Sequence, residues 1–307
     1  MTAPVHPLRL GTRGSPLALV QARMVADALC AAQGWSADAV EIIPVRTTGD
    51  RVQDRPLAEI GGKALWTKEL DRALGEHAID FAVHSMKDVE TIRPVAIRIA
   101  AMLPRADVRD RMVGAESLEA LPQGARVGTS SPRRAAQLRN RRPDLAIMPF
   151  RGNVDTRLAK LAAGEAEATL LAAAGLDRLG RHDVGHAIPL ETMLPAPSQG
   201  AIGIEARAED HATLARLAAI DDRATHRCVA AERALLAALG ADCRSPVGAL
   251  ARIEGERLLL RAELLSEDGA HRVADSLSIE APEEAAALAD RLLAAAPEPV
   301  ARLFTRP

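Results

Sequence analysis

Up to about residue 100, short apolar runs alternate with segments whose apolar positions recur at helical spacing. Trp66, Leu70 and Leu74, for example, fall on one face of a predicted helix. The pattern predicts helices over 16–32 and 64–75 and strands over 8–10, 40–46, 79–84 and 95–102. Because alternation of strands and helices is typical of α/β domains, we expect a largely parallel sheet here.

A second α/β pattern follows a crossing segment at 103–107. It predicts strands over 126–128, 146–150 and 169–173 and helices over 132–142 and 154–163. A second crossing at 194–198 leads into an apolar run over 201–206, which we expect to return to the first sheet.

The last part of the chain has a different pattern. A long helix is predicted over 222–239, three alternating segments over 247–253, 257–265 and 271–279, and a closing helix over 282–295. Turn residues between the alternating segments predict an antiparallel meander. We therefore expect a discontinuous α/β domain 1 (1–103 and 200–221), an α/β domain 2 (104–199) and a small α+β domain 3 (222–307).

Two helix starts repeat one motif of strand, Gly-Thr, Ser and Pro. In the first, Ser15 precedes Pro16; in the second, Ser131 precedes Pro132. Serine at the N-cap with proline after it is a strong helix-start signal, and the free amides of such a start attract anions. Ordinary capping explains either copy alone, whereas two copies with arginines nearby favour an anion site where two similar domains meet.

Composition narrows the function classes. With 39 basic and 41 acidic residues among 307, the net charge is near −2, which argues against a dedicated nucleic-acid-binding protein. Three cysteines are too few for a disulfide scaffold and indicate a reducing compartment. No secretory signal or membrane-spanning run is recognisable, so we expect a cytoplasmic protein.

Arginines accumulate near the predicted strand-to-helix junctions, where open α/β sheets bind ligands. Guanidinium groups pair with carboxylates or phosphates through two parallel hydrogen bonds. These arginines indicate a small polyanionic ligand. The alternative is that they are solvated surface residues. They are Arg13, Arg133, Arg134, Arg151, Arg157 and Arg178.

Two further positions carry candidate chemistry. Asp88 follows a predicted buried strand and is either a functional carboxylate or the partner of Lys87 in a local salt bridge. Cys243 lies in a loop beside Asp242 and Arg244, which would shift its pKa in opposite directions, so a reactive or a structural role stays open. Cys30 and Cys228 are expected in the core, and no spacing of His and Cys predicts a metal site.

The motifs, taken in order, resemble those of the porphobilinogen deaminase family (hydroxymethylbilane synthases) over almost the whole chain. The His-Ser-Met-Lys-Asp and Gly-Thr-Ser-Ser-x-Arg-Arg strings are the most specific. The matching segments are Gly11–Leu19, Thr48–Asp50, Gly61–Trp66, His84–Asp88, Gly128–Arg134, Arg151–Val154, Ala174–Leu176 and Gln199–Ala201.

This resemblance implies a fold, an activity and a cofactor. The fold has two type II periplasmic-binding-protein-like α/β domains around a cleft and a small α+β domain with a three-stranded antiparallel sheet. The activity is a transferase of tetrapyrrole and haem biosynthesis that joins four porphobilinogen molecules head to tail, releases ammonia and frees hydroxymethylbilane. The cofactor is a dipyrromethane bound through a thioether to a cysteine that Cys243 matches by position. We expect a monomer without a metal.

The resemblance also implies roles for single residues. Asp88 matches the catalytic carboxylate, which stabilises positive charge on pyrrole intermediates. The positions around the cofactor are Ser85, Lys87, Thr129, Ser131, Arg133 and Arg134. Those that bind substrate are Arg13, Ser15, Arg151, Gly152, Arg157 and Arg178, and those in the active-site loop are Lys63 and Trp66.

Several positions depart from the family pattern. Ala241 and Asp242 precede Cys243 where the family usually has glycine and a small residue, Trp66 replaces a common phenylalanine, and Ser198 replaces a common glycine. Two alternatives remain: a non-catalytic protein of the same architecture that binds small polyanions, and a nucleic-acid-binding protein. The second has few aromatic side chains on which bases could stack.

Overall fold

A computed structural model of the chain describes Pro4 and residues 6–45 and 67–304. Its described residues form two compact units, one from Met1–Ala106 and Ala201–His226 and the other from Asp107–Gly200 and Arg227–Pro307. The second unit holds both the second α/β sheet and the C-terminal sheet. The division into three domains stays a prediction.

The elements are numbered in chain order. The strands are β1 (Leu8–Arg13), β2 (Val40–Val45), β3 (Phe81–Ser85), β4 (Ile97–Met102), β5 (Asp110–Val113), β6 (Arg126–Gly128), β7 (Ala146–Met148), β8 (Ala168–Ala172), β9 (His186–Ala187), β10 (Ile202–Arg207), β11 (Val247–Glu254), β12 (Arg257–Leu265) and β13 (Arg272–Ile279). The helices are α1 (Pro16–Gln33), α2 (Lys68–Gly75), α3 (Pro132–Arg141), α4 (Val154–Ala162), α5 (Ala173–Arg178), α6 (His211–Leu217), α7 (Arg223–Leu239), α8 (Ala285–Ala295) and α9 (Glu298–Ala301).

The first unit is built on a five-stranded sheet of order β2-β1-β3-β10-β4. β1 is parallel to β2 and β3, whereas β10 is antiparallel to β3 and β4. The return of residues 201–206 to this sheet is confirmed, but the sheet is mixed rather than largely parallel. The reason is that the chain re-enters at the carboxyl end of β3, where Ala201 O accepts the Met86 N–H, and so must run back along it.

The second unit repeats this arrangement with the order β7-β6-β8-β5-β9. β6 is parallel to β7 and β8, and β5 is antiparallel to β8. The three-stranded sheet β11-β12-β13 is antiparallel throughout, as the meander pattern predicted. The expected class, two α/β sheets and a small α+β part with a three-stranded antiparallel sheet, is therefore confirmed.

Helix α1 illustrates why the sequence forms these elements. Ser15 accepts the Ala18 N–H with its side chain, and Pro16 occupies the first helical position, as the helix-start signal predicted. The helix buries Val25 and Leu29 against the sheet, which contributes about 1.5–3 kcal/mol for each large side chain. It ends at Gly34, whose φ of 67° requires no strain in glycine.

Candidate functional site

The candidate residues of the first unit follow two neighbouring parallel strands. Arg13 is the last residue of β1 and Ser15 comes two residues later, whereas Ser85 ends β3 and Lys87 and Asp88 follow it. Since β1 and β3 are parallel neighbours, these positions lie along the same edge of the sheet. The structure therefore brings this part of the predicted site together at the carboxyl edge, where α/β sheets bind ligands.

Asp88 is the last residue of a 3₁₀ turn, Met86–Asp88, and its side chain is half-buried. Within the described residues its carboxylate forms no hydrogen bond and no ion pair, including with Lys87. The local salt bridge that the sequence left open is thus not present. Asp88 is instead a half-buried carboxylate available to a ligand.

The two serines of this edge are already engaged. Ser85 Oγ accepts from Gln21 Nε2 at 2.8 Å, and Ser15 Oγ accepts the Ala18 N–H at 3.3 Å. Gln21 is buried on α1, so it holds the Ser85 hydroxyl in one place. These hydroxyls shape the edge and keep some hydrogen-bonding capacity for a ligand.

In the second unit, Arg133 and Arg134 lie in the first turn of helix α3 and are both buried around the carboxylate of Asp110. Arg133 Nη2 donates to Asp110 Oδ2 at 2.8 Å, and Arg134 Nη2 donates to Oδ1 at 2.7 Å. Burial alone would raise the pKa of Asp110, but the two guanidinium groups hold it well below its usual range. Gln199 Nε2 also donates to Asp110, at 2.8 Å.

The strand-to-helix junctions around this pair place the other predicted residues. Ser131 caps α3, and the buried Thr129 accepts the Ser131 N–H at 3.2 Å. Gly152 has a φ of 106°, and a Cβ there would lie 2.6 Å from Thr156, so only glycine fits without strain. Arg157 Nε donates to Gly152 O at 3.0 Å. Because β6, β7 and β8 are parallel, their junctions share one sheet edge.

Several buried guanidinium nitrogens at these junctions have no hydrogen-bond partner within the described residues. They belong to arginines that the sequence marked as anion-binding: Arg133 Nε, Arg134 Nε, Arg151 Nη1 and Arg178 Nε. Burial lowers the pKa of Arg178 to about 10 against the attraction of Asp177. Buried donors without acceptors are costly, so this part of the sheet edge is suited to an anionic ligand.

Cys243 is exposed in a tight turn, whereas Cys30 and Cys228 are buried. The Ser245 N–H donates to Asp242 O at 3.0 Å, and Ser245 Oγ accepts the Asp242 N–H at 3.1 Å. Arg244 Nη2 pairs with Asp242 Oδ2 at 2.7 Å, which offsets the negative charge next to the thiol. The departure at Asp242 is therefore accommodated by its own ion pair.

The Cys243 turn is connected to the buried Arg133 and Arg134 through β11. A Cβ at Gly248 would lie 2.9 Å from the Leu194 side chain, and the Ala249 N–H donates to Pro195 O at 3.1 Å. Leu194 O is in turn an acceptor of Arg133 Nη1, at 2.8 Å. The thiol and the buried arginines are therefore fixed to the same crossing segment of one compact unit.

Lys63 and Trp66 lie outside the described residues. Among the residues that are described, no helix is long and apolar enough to cross a membrane. The described His, Cys, Asp and Glu side chains also form no group of three or more that could hold a metal ion.

Sequence reasoning missed three buried polar residues that organise these edges: Asp110, Gln137 and Glu205. Glu205 had a recognisable signal, because it is a charged residue inside the apolar run Ile202–Ala206. Asp110 had none, because it lies between arginines and aspartates that all look solvated in the sequence.

Comparison with known protein families gives two matches. The description "Porphobilinogen deaminase, dipyromethane cofactor binding domain" covers residues 8–215, and "Porphobilinogen deaminase, C-terminal domain" covers residues 226–296. Together they include both sheet edges and the Cys243 turn.

Named relatives agree with the family matches. Porphobilinogen deaminase of Sphingopyxis alaskensis is 60% identical over 99% of this chain and 98% of its own length. That of Paracoccus denitrificans is 54% identical over 89% of this chain and 88% of its own length. A solved substrate-binding domain of a putative amino acid ABC transporter from Streptococcus pneumoniae is 10% identical, with a TM-score of 0.42 over 69% of this chain and 90% of its own.

Proposed function

The chain belongs to the porphobilinogen deaminase family, and from this premise we propose how its own residues divide the work of the reaction. The activity is that of a transferase in tetrapyrrole biosynthesis, which condenses four porphobilinogen molecules into hydroxymethylbilane and releases ammonia. The alternative of a non-catalytic polyanion-binding protein has no support among the relatives.

The residues of the second unit fit the dipyrromethane cofactor of this family. A dipyrromethane bears several carboxylates, and the unpartnered guanidinium nitrogens of Arg133 and Arg134 are donors for such groups. Cys243 is the exposed thiol of the chain, so we propose that it forms the thioether. When bound, the dipyrromethane supplies the pyrrole carbon at which the chain of pyrroles is extended.

Each further porphobilinogen adds two carboxylates, so the product is an increasingly charged polyanion. We propose that Arg13, Arg151, Arg157 and Arg178 pair with these groups, while Arg133 and Arg134 serve the cofactor. Ser15 supports this binding at the start of α1, and Gly152 supports it just before the start of α4. Ser85, Lys87, Thr129 and Ser131 complete the polar surroundings of the cofactor.

We propose Asp88 as the catalytic carboxylate, and the observation that carries this is its lack of any partner within the described residues. Release of ammonia and formation of each C–C bond place positive charge on pyrrole rings. A fixed carboxylate near the pyrrole N–H groups stabilises that charge without reorganising. The same oxygen can accept and return a proton.

Asp88→Asn tests this role, because it keeps the shape and hydrogen-bonding ability of the side chain and removes the charge. Loss of a well-placed electrostatic group typically costs on the order of a hundredfold in rate. We expect a folded protein that holds a dipyrromethane when given preformed hydroxymethylbilane and yet consumes porphobilinogen slowly. Turnover within a few-fold of wild type, at an unchanged Tm, would eliminate the catalytic role.

We also propose a cytoplasmic monomer that binds neither nucleic acid nor membranes. The low cysteine content supports a reducing compartment, and the net charge near −2 gives no general attraction to nucleic acid. Sedimentation of the purified protein tests whether it is a monomer. Its retention on a nucleic-acid column at low salt tests whether it binds nucleic acid.

A further inference from the structure

Both ends of the loop that carries Asp88 are held by one buried carboxylate, that of Glu205 on β10. Arg93 donates to it through Nε at 2.8 Å and through Nη2 at 2.9 Å, so both carboxylate oxygens are engaged. At the other end of the loop, His84 Nε2 lies 3.1 Å from Glu205 Oε2. The His84 imidazole is therefore in direct contact with this carboxylate.

Arg93 also pairs with a carboxylate in the loop itself and with one on α2. Its Nη1 donates to Glu90 at 2.6 Å, two residues after Asp88, and its Nη2 donates to Asp71 on α2 at 2.5 Å. Burial lowers the pKa of Arg93, but the surrounding carboxylates outweigh this and raise it above its ordinary value. One guanidinium therefore joins the loop, α2 and β10.

The 3₁₀ turn between these two ends is fixed to the same strand. The Met86 N–H donates to Ala201 O at 3.1 Å, just before β10 begins. A Cβ at Gly203 would lie 2.0 Å from Met86 Sδ, so the Met86 side chain fills the space that the glycine leaves open. The turn that ends at Asp88 is therefore packed directly against β10.

This arrangement is poorly explained as a device for stability alone. Glu205 has a side-chain exposure of 0% and Arg93 one of 8%. The desolvation of such a pair offsets most of its attraction, and well-packed apolar residues often stabilise a protein as much. The two parallel hydrogen bonds between Arg93 and Glu205 constrain the direction of the loop, which apolar side chains would not do.

We propose that Glu205 is a positioning residue for the reaction, which holds the loop from His84 to Arg93 so that the Asp88 carboxylate stays where the pyrrole charge develops. The inference rests on the proposed role of Asp88 and adds the residues that place it.

Glu205→Gln is the direct test, because it conserves shape and removes the charge that Arg93 and His84 face. A displacement of about 1 Å can cost on the order of a hundredfold in rate. We expect kcat of the cofactor-loaded variant to fall at least about tenfold while KM stays within about threefold. KM should hold because Glu205 contacts none of the arginines proposed to bind substrate.

Asp80→Asn is the matched control at the opposite end of β3. Asp80 also accepts from an arginine, Arg9, through Nη2 at 2.9 Å, and its side chain is 18% exposed. We expect this control to lower the Tm and leave kcat unchanged. An equal loss of kcat in Asp80→Asn would show that any weakened ion pair in the sheet impairs turnover, and would overturn the proposal.

The double variant Asp88→Asn/Glu205→Gln separates this inference from the proposed function. If Glu205 acts through Asp88, the double variant should turn over no more slowly than Asp88→Asn alone, because a charge already removed cannot also be misplaced. If the losses of turnover in the two single variants multiply in the double variant, Glu205 acts independently of Asp88. That result would overturn the positioning role and leave Asp88 catalytic. Near-normal turnover of Asp88→Asn would instead refute the catalytic role itself.

Arg93→Lys keeps the test available if Glu205→Gln does not fold. Lysine retains the charge but not the fork, so one carboxylate oxygen of Glu205 loses its donor. We expect a smaller fall in kcat than in Glu205→Gln, again with KM unchanged. Normal kcat in Arg93→Lys together with a lowered Tm would mark the cluster as structural only and contradict the proposal.

Discussion

Glu232 Oε2 accepts the backbone N–H of Ser198 at 2.6 Å and holds this residue at a φ of 65°. Ser198 is 2% exposed, and it stands where the family resemblance leads us to expect glycine. The other oxygen of Glu232 accepts the Ala251 N–H at 2.8 Å, so the strained residue is tied to β11. The departure noted in the sequence therefore has a measurable backbone cost.

Ser198→Gly should stabilise the protein. Relief of the left-handed conformation is worth about 1–2 kcal/mol, from which the greater freedom of glycine in the unfolded chain subtracts about 0.5–1 kcal/mol. We expect a rise in Tm of about 2 °C, measured by calorimetry. Ser198→Ala, which keeps the strain, is the control, and an equal rise in both variants would show that φ is not the cause.

Cys243→Ser should abolish cofactor attachment, whereas Cys30→Ser and Cys228→Ser should not. Only the Cys243 thiol is exposed, and burial together with Asp27 and Asp38 raises the pKa of Cys30, which leaves less thiolate there. Intact mass and the masses of tryptic peptides are the measurements. A dipyrrole found on Cys30 or Cys228 of the wild-type chain would refute the choice of Cys243.

Arg134→Leu should impair both folding and cofactor loading, because it leaves the buried Asp110 with one guanidinium fewer. Breaking a buried pair in this way costs about 3–5 kcal/mol. Adding Asp110→Asn should recover much of the Tm without restoring the mass of the loaded protein. Recovery of cofactor loading in that double variant would mean that Arg134 serves only the fold. We expect Arg133→Leu to behave in the same way as Arg134→Leu.

Arg151→Leu and Arg13→Leu should fail at a later stage. Neither residue pairs with Asp110, so both variants should fold and carry the dipyrromethane but elongate it slowly. Native gels and intact masses after addition of porphobilinogen distinguish stalled intermediates from complete turnover. Normal elongation in both variants would contradict their proposed part in binding the growing chain.

The Glu205 cluster should make stability depend on acid pH. Burial would raise the pKa of Glu205, but His84 and Arg93 lower it to about 2. A carboxyl group whose pKa is lowered by folding stabilises the protein above its unfolded pKa, and that contribution is lost as the pH falls towards the folded value. The difference in free energy of unfolding between wild type and Glu205→Gln should therefore shrink from about pH 5 to about pH 2. Urea unfolding across this range tests it, and a constant difference would refute the linkage.

Local signals predicted most of the elements. Strand β6 and the start of helix α3 follow from the apolar run at 126–128 and the Ser131-Pro132 cap, and the structure has both where they were expected. The helix predicted over 282–295 begins instead as a 3₁₀ turn, Pro282–Glu284, before α8. The predicted residues 64–66 and Arg46 lie outside the described chain.

Elements that depend on distant partners were missed. Strand β5 begins with Asp110 and Arg111, two charged residues to which the sequence assigned no element, and Asp110 is buried between Arg133 and Arg134. The residues that hold Asp88 are likewise far apart in sequence, from Asp71 to Glu205. Family motifs located the candidate chemistry, but the charge pairs that support it become visible only in three dimensions.

The place of β10 in the first sheet also decides the order in which the protein can form during synthesis. β4 has β10 as its neighbour in the sheet, so it waits for a strand that emerges about a hundred residues later. The sheet of the second unit, from β5 to β9, is complete once Ala187 has left the ribosome, whereas the first sheet needs Arg207. Until Arg207 has emerged, β3 and β4 therefore lack the strand that pairs with both of them, whereas the sheet of the second unit can already form.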